Sequence, residues 1–267
     1  MAISSSAYHT NASPGEIQLA KFNIFASDTT PKFAIGTRVS LADGRVFRYA
    51  HFGAAVNNAL LVAQDISETG LGNTDNVMIA PASAATTTDG TVGSRFIQIT
   101  LASITANQFA GGYLHTQDAT GEGYTYRIKG NTATGSPVSG DIRLELYDPI
   151  EIAIDATTDF AIVGSMWSNV EGATAATDTI ICGVTTAVQA LDDFGWVQTW
   201  GPGTVLVDGT LAIGDVLALS DGVTGAVHLL GGGGTDVADV NTEPLVGYAM
   251  HIGTNTEHTA VFLQISP

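Results

Sequence analysis

The chain has 267 residues, with 26 acidic side chains against 9 basic ones and a formal net charge of −17. Acidity of that order excludes nucleic acid and an anionic membrane surface as partners, since both require clustered lysine and arginine. The single cysteine, Cys182, excludes an internal disulfide, and no apolar run approaches the roughly 20 residues of a membrane-spanning helix.

The charge is unevenly placed. Every lysine and arginine lies between Lys21 and Arg143, and the acids concentrate from Leu144 to Pro267. With only 13% charged residues and a mean hydropathy of +0.22, some apolar surface is expected to be buried against other chains.

In chain order, residues 1–34 are small and polar around Pro14-Gly15 and predict an extended N-terminal arm; Met1–Thr10 lacks the features of a secretory signal. Ile35–Leu41 and Arg45–Phe52 predict a hairpin across Ala42-Asp43-Gly44, where glycine accepts the positive φ of a tight turn. Ala54–Ser67 is the one helix candidate. Ala82–Gly93, rich in Thr, Ala, Gly and Ser, reads as a linker or surface loop. In Arg95–Leu101 the residues Ile97, Ile99 and Leu101 alternate with polar neighbours, as on one face of a strand. Gly112–Gln117 and Gly123–Lys129 predict a second hairpin, and Ile142–Tyr147 and Ile150–Ile154 meet at Asp148-Pro149, which should break or bend their pairing.

Further short strands are predicted at Phe194–Trp200, Thr204–Val207, Thr210–Ile213, Val216–Leu219, Val223–Leu229, Leu245–His251 and Thr259–Ile265. Gly231–Glu243 reads as an acidic glycine-rich loop. Such strands and turns predict an all-β protein of short-stranded barrel or sandwich regions with very little helix. The division expected from composition is an arm over 1–34, a β-rich region over 35–155 with all but two of the basic residues, and an acidic barrel-like region over 156–267.

No reaction is named by the residues. There is no G-x-S-x-G elbow and no glycine cluster followed by lysine; Gly121-Glu122-Gly123 lacks the third glycine of a dinucleotide loop. The histidines at 9, 51, 115, 228, 251 and 258 have no metal-binding spacing, although His251 and His258 could meet across a hairpin. The run Asp236–Asp239 beside Gly231–Gly234 could bind calcium loosely, although it departs from the Asp-x-Asp-x-Asp-Gly loop and an acidic glycine-rich loop is more often simply solvated. Asp192-Asp193, and Glu145 with Asp148, are the carboxylate pairs a glycan-cleaving enzyme would use. Trp196 and Trp200, four apart in a strand, should face one side, as core or subunit packing or as a sugar platform. No catalytic residue, cofactor or metal is expected, and the chain is read as a binder rather than an enzyme.

Three stretches carry a resemblance. Ala106–Leu114 followed by Thr120–Ile128 resembles structural proteins of tailed phages, as does Gly195-Trp196-Val197-Gln198 leading into Gly201-Pro202-Gly203 and Gly214-Asp215. Leu245-Val246-Gly247-Tyr248-Ala249 and the strand through Val261-Phe262-Leu263 are similar to the closing strands of small barrel proteins in the tailed-bacteriophage capsid decoration, or cement, family. The likeness runs from about Gly36 onward; small cement proteins are about half this size, which leaves the N-terminal β-region as an addition.

The resemblance implies a virion protein made in the host cytoplasm. It would lie on the outer capsid surface, clamp major capsid subunits and associate with itself as a homotrimer. The residues expected at the capsid or subunit interface are Arg38, Arg45, Arg48, Arg127, Lys129, Arg143, Trp196 and Trp200. The alternatives are a tail tube, head fibre or major capsid subunit and, further off, a receptor-binding or glycan-cleaving tail protein.

Overall fold

The computed structural model describes residues 23–64, 89–136, 139–155, 158–174, 180–231 and 243–267. Within them the protein is all-β, 45% strand with no helix, and contains a small closed β-barrel and a second sheet. The strands are β1 (Ser27–Asp28), β2 (Arg38–Ser40), β3 (Val46–His51), β4 (Leu61–Gln64), β5 (Phe96–Thr100), β6 (Tyr113–Asp118), β7 (Thr125–Asn131), β8 (Asp141–Leu146) and β9 (Asp159–Val163). They continue as β10 (Val170–Gly172), β11 (Ile181–Thr185), β12 (Phe194–Val207), β13 (Val216–Leu219), β14 (Ala226–Leu229), β15 (Leu245–Ala249) and β16 (His258–Gln264).

Two compact units result, one from residues 1–65 with 166–267 and the other from 66–165. They do not follow the contiguous division drawn on the sequence. The reason is β12, whose first half pairs with β3 from Phe194↔His51 to Trp200↔Val46. Arg38, Arg45 and Arg48 therefore fold into the same unit as the acidic stretch, and the charge split along the chain is not a split between bodies.

In the first unit β12 is the spine. Its second half pairs with β16 from Trp200↔Gln264 to Leu206↔His258, and its end runs parallel to β14. β14 pairs with β13, β13 with β15, and β15 with β16, so the strands close on themselves. Val205, Val207, Leu217, Leu219, Val227, Val246, Val261 and Leu263 fill the interior. At about 1.5–3 kcal/mol for each fully buried side chain of this size, that interior is the main stabilising term of the barrel. Closure also depends on Gly247, at φ +155, where a Cβ would lie 1.9 Å from the Phe262 carbonyl oxygen.

The first half of β12 builds a second core around Trp196, Tyr49, Phe47 and Ile24, with Phe33 packed against it. Ile24, Ser27 and Asp28 belong to the expected arm, yet Ile24 is buried and Ser27 and Asp28 pair with Gly195 and Phe194. The rest of that arm, residues 1–22, lies outside the described residues, as do most of 82–93 and of 231–243. The helix candidate at 54–67 is replaced by a bridge from Val56 to Gln189 and by β4, whose four residues are all buried between β10 and β11; residues 65–67 lie outside the described set.

The second unit is a five-stranded antiparallel sheet in the order β5-β8-β7-β6-β9. Alternation sends Ile97, Ile99, Leu114, Tyr126, Ile128, Ile142, Leu144 and Leu146 to one face, where Phe109 and Phe160 join them. The predicted strand at Ile150–Ile154 is not formed: Ile150 enters this core from a loop pinned by the Gly93 N–H to Ile150 O bond.

Candidate protein interface

The eight residues expected at an interface lie in both units. In the first, Arg38 and Arg48 stand opposite each other on β2 and β3. Arg38 Nε donates to an oxygen of Pro267 at 3.3 Å, and Arg48 Nη1 donates to Gly36 O at 3.2 Å with its guanidinium 4.8 Å from the Trp167 ring. Arg45, at the turn before β3, donates to Asp43 Oδ2 at 2.7 Å and lies over Phe47. Burial works against ionisation of Asp43, but the backbone N–H and guanidinium of Arg45 outweigh it and hold the carboxyl below its usual range.

The two tryptophans do not share a face. Between Gln198 and Trp200 the register against β3 shifts by one residue, a bulge at Thr199 that reverses the alternation. Trp196 is buried among Tyr49 and Phe33, with ring centroids 5.0 and 5.3 Å away. Trp200 turns to the barrel side, edge-on to Phe262 at 5.9 Å. Trp196 is therefore core, and only Trp200 reaches a surface.

In the second unit Arg127, Lys129 and Arg143 share the sheet face opposite the core. Arg127 lies 5.0 Å from the Tyr147 ring and pairs in register with Tyr113. Lys129 meets Glu145 at 2.6 Å. Arg143 holds Asp89 through two parallel bonds of 2.8 and 2.9 Å and covers the Phe96 ring at 3.9 Å; the Asp89 hydrogen bonds raise its pKa. Arg45, Lys129 and Arg143 thus each meet a carboxylate of their own unit.

Asp193 is buried, accepting from Ser27 Oγ at 2.5 Å and from the Ala190 N–H at 3.2 Å, whereas Asp192 is exposed at φ +65, 3.8 Å from His51. Glu145 is engaged by Lys129. Gly121 and Gly123 form the turn between β6 and β7, each at positive φ. His258 stands opposite Leu206 on β12, while His251 Nδ1 lies against Ile252 O; among the described residues no three His, Cys, Asp or Glu side chains form a metal-binding group. Cys182 is buried and burial raises its pKa well above the ordinary thiol value. A cleft of about 640 Å³ beside β12 is lined by Arg45, Asn58, Thr185, Gln198, Thr204 and His258.

The feature that sequence reading missed is on the outer wall of the barrel. Register places Val216 against Tyr248, Tyr248 against Phe262, and Phe262 against Pro202, one apolar row across four strands. The Tyr248 and Phe262 rings stack at 5.2 Å and 5°, and Trp200 abuts Phe262. Val216 is 47% and Tyr248 37% exposed; Ile213 at 69%, Met250 at 42% and Ile252 at 62% extend the apolar surface in the adjoining turns. The signal was legible in principle: Leu245-Val246-Gly247-Tyr248-Ala249 and Val261-Phe262-Leu263 are continuous apolar runs where a strand with one wet face should alternate. No family model, curated protein or solved structure matches the chain.

Proposed function

We propose that this chain is a virion structural protein. In this reading it decorates the outer surface of a phage capsid and stabilises it through non-covalent contacts with major capsid subunits, as a homotrimer and without enzymatic activity. The observation that carries the reading is the apolar outer wall of the barrel. An apolar row of exposed Val216, Tyr248 and Pro202 and half-buried Phe262, in a chain with only 13% charged residues, is surface made to be covered by protein. The resemblance of the barrel strands to cement proteins supports the same reading.

Stabilisation would follow by mass action, because copies that bind the assembled shell and not its dissociated subunits shift the equilibrium toward the shell. Trimer formation would raise the avidity of each docking event. One carboxylate of each pair that a glycan-cleaving alternative would use already has a partner in its own unit, Asp193 in Ser27 and Glu145 in Lys129. The test is a count and location in purified particles. Hundreds of copies on the head are expected; a handful at the tail tip, or absence from the particle, overturns the proposal.

A further inference from the structure

We infer that the row Val216–Tyr248–Phe262–Pro202 is the docking face, and that it receives a protein surface bearing lysine or arginine among aliphatic side chains. The inference rests on the decoration reading and names the surface through which it works.

Three observations converge on that partner. The row is apolar and aromatic, so its occupant must supply apolar area. The barrel that carries it is acidic: its described residues include the carboxylates Asp208, Asp215, Asp221, Glu243 and Glu257, Asp215 directly precedes Val216, and the cation beside Pro202, Arg45, is paired with Asp43. A second copy of the barrel would bring the same charge against itself, whereas a basic surface is drawn in. Finally, Tyr248 stacks on Phe262 through one ring face and is 37% exposed, leaving ring surface for a guanidinium, the cation that aromatic faces hold best. Three of the six cations earlier expected to dock are less suited, since Arg45, Lys129 and Arg143 already meet carboxylates of their own unit.

The experiment is rebinding to capsid shells stripped of this protein, comparing the full chain with Val216→Lys and Val216→Glu. Ile213→Lys and Ile213→Glu form a second pair in an exposed turn, in case the strand position disturbs folding. A thermal melt checks each variant, and light scattering reports its oligomeric state. A basic partner distinguishes the sign of the new charge: each lysine variant should bind about tenfold or more weaker, each glutamate variant within about threefold of the wild type, and wild-type binding should weaken as salt rises. Equal binding by the lysine and glutamate variants overturns the inference while leaving decoration standing. Lysine variants that instead change the oligomeric state make a second copy the occupant and also overturn it. Wild-type protein that does not bind the shells overturns the decoration reading and this face together.

Discussion

His51 ends β3 with its ring 4.8 Å from Phe194 and Nε2 3.8 Å from exposed Asp192. Burial lowers its pKa, and the Asp192 charge only partly opposes that shift. The folded chain therefore takes up the His51 proton less readily than the unfolded chain. Its contribution to stability is full above the ordinary value of 6.5 and is lost as the pH falls from there toward the folded value. Titration by NMR should find His51 below 6.5 and lower still in Asp192→Asn; a rise in that variant contradicts the assignment. Asp89 makes a second residue-scale case, its side chain 4% exposed and bonded twice to an Arg143 that is 37% exposed. Asp89→Asn keeps the size but not the paired acceptors, and should lower the unfolding free energy by about 1–2 kcal/mol, since water reaches the arginine. Denaturant melts of the two proteins check it, and an unchanged midpoint would show the pair to be idle.

At the scale of the element, β12 is where sequence and structure part. The hairpins at 35–52 and 112–129 were legible because each is closed by its own turn, and β2–β3 and β6–β7 form as read. Phe194–Trp200 and Thr204–Val207 were read as two strands because Gly201-Pro202-Gly203 looks like a break. They form one strand of 14 residues, as partners remote in sequence, β3 and then β16, hold it through the bend. Gln198 bridges that bend, its side-chain amide donating to the carbonyls of Trp200, Gly201 and Pro202. No local pattern announces such a role, nor does one announce β4, β9, β10 or β11, which are short and defined only by what they pair with. The Thr199 bulge has the same origin, and it is why the two tryptophans could not be placed by counting. Gly247 is the sharpest test at this scale. Gly247→Ala drives a methyl group into the Phe262 carbonyl at a φ of +155, and is expected to cost about 3 kcal/mol or more and to open β15 from β16. A thermal melt unchanged from the wild type would show that the barrel tolerates a wider strand spacing there.

For the whole molecule, the consequence of two units is independent cores. Residues 66–165 contain a complete sheet and an apolar cluster from Ile97 to Phe160. Expressed alone, that segment should give a β-type circular dichroism spectrum and a cooperative melt, whereas a broad, non-cooperative transition would mean that it borrows its stability. The first unit has no such autonomy along the chain, because β2, β3 and β4 are made before residue 65, but the second partner of β3 begins at Phe194 and the two partners of β4 at Val170 and Ile181. On the ribosome the β2–β3 hairpin and β4 must emerge and then wait through the synthesis of an entire inserted sheet before their remaining partners appear. Their apolar side chains, Phe47, Tyr49, Leu61 and Val62 among them, stay uncovered for that interval. Slowing translation within 66–165 would lengthen the exposure without altering a single residue of the finished protein. The yield of soluble chain should then depend on codon choice in a segment that contributes nothing to the core it endangers.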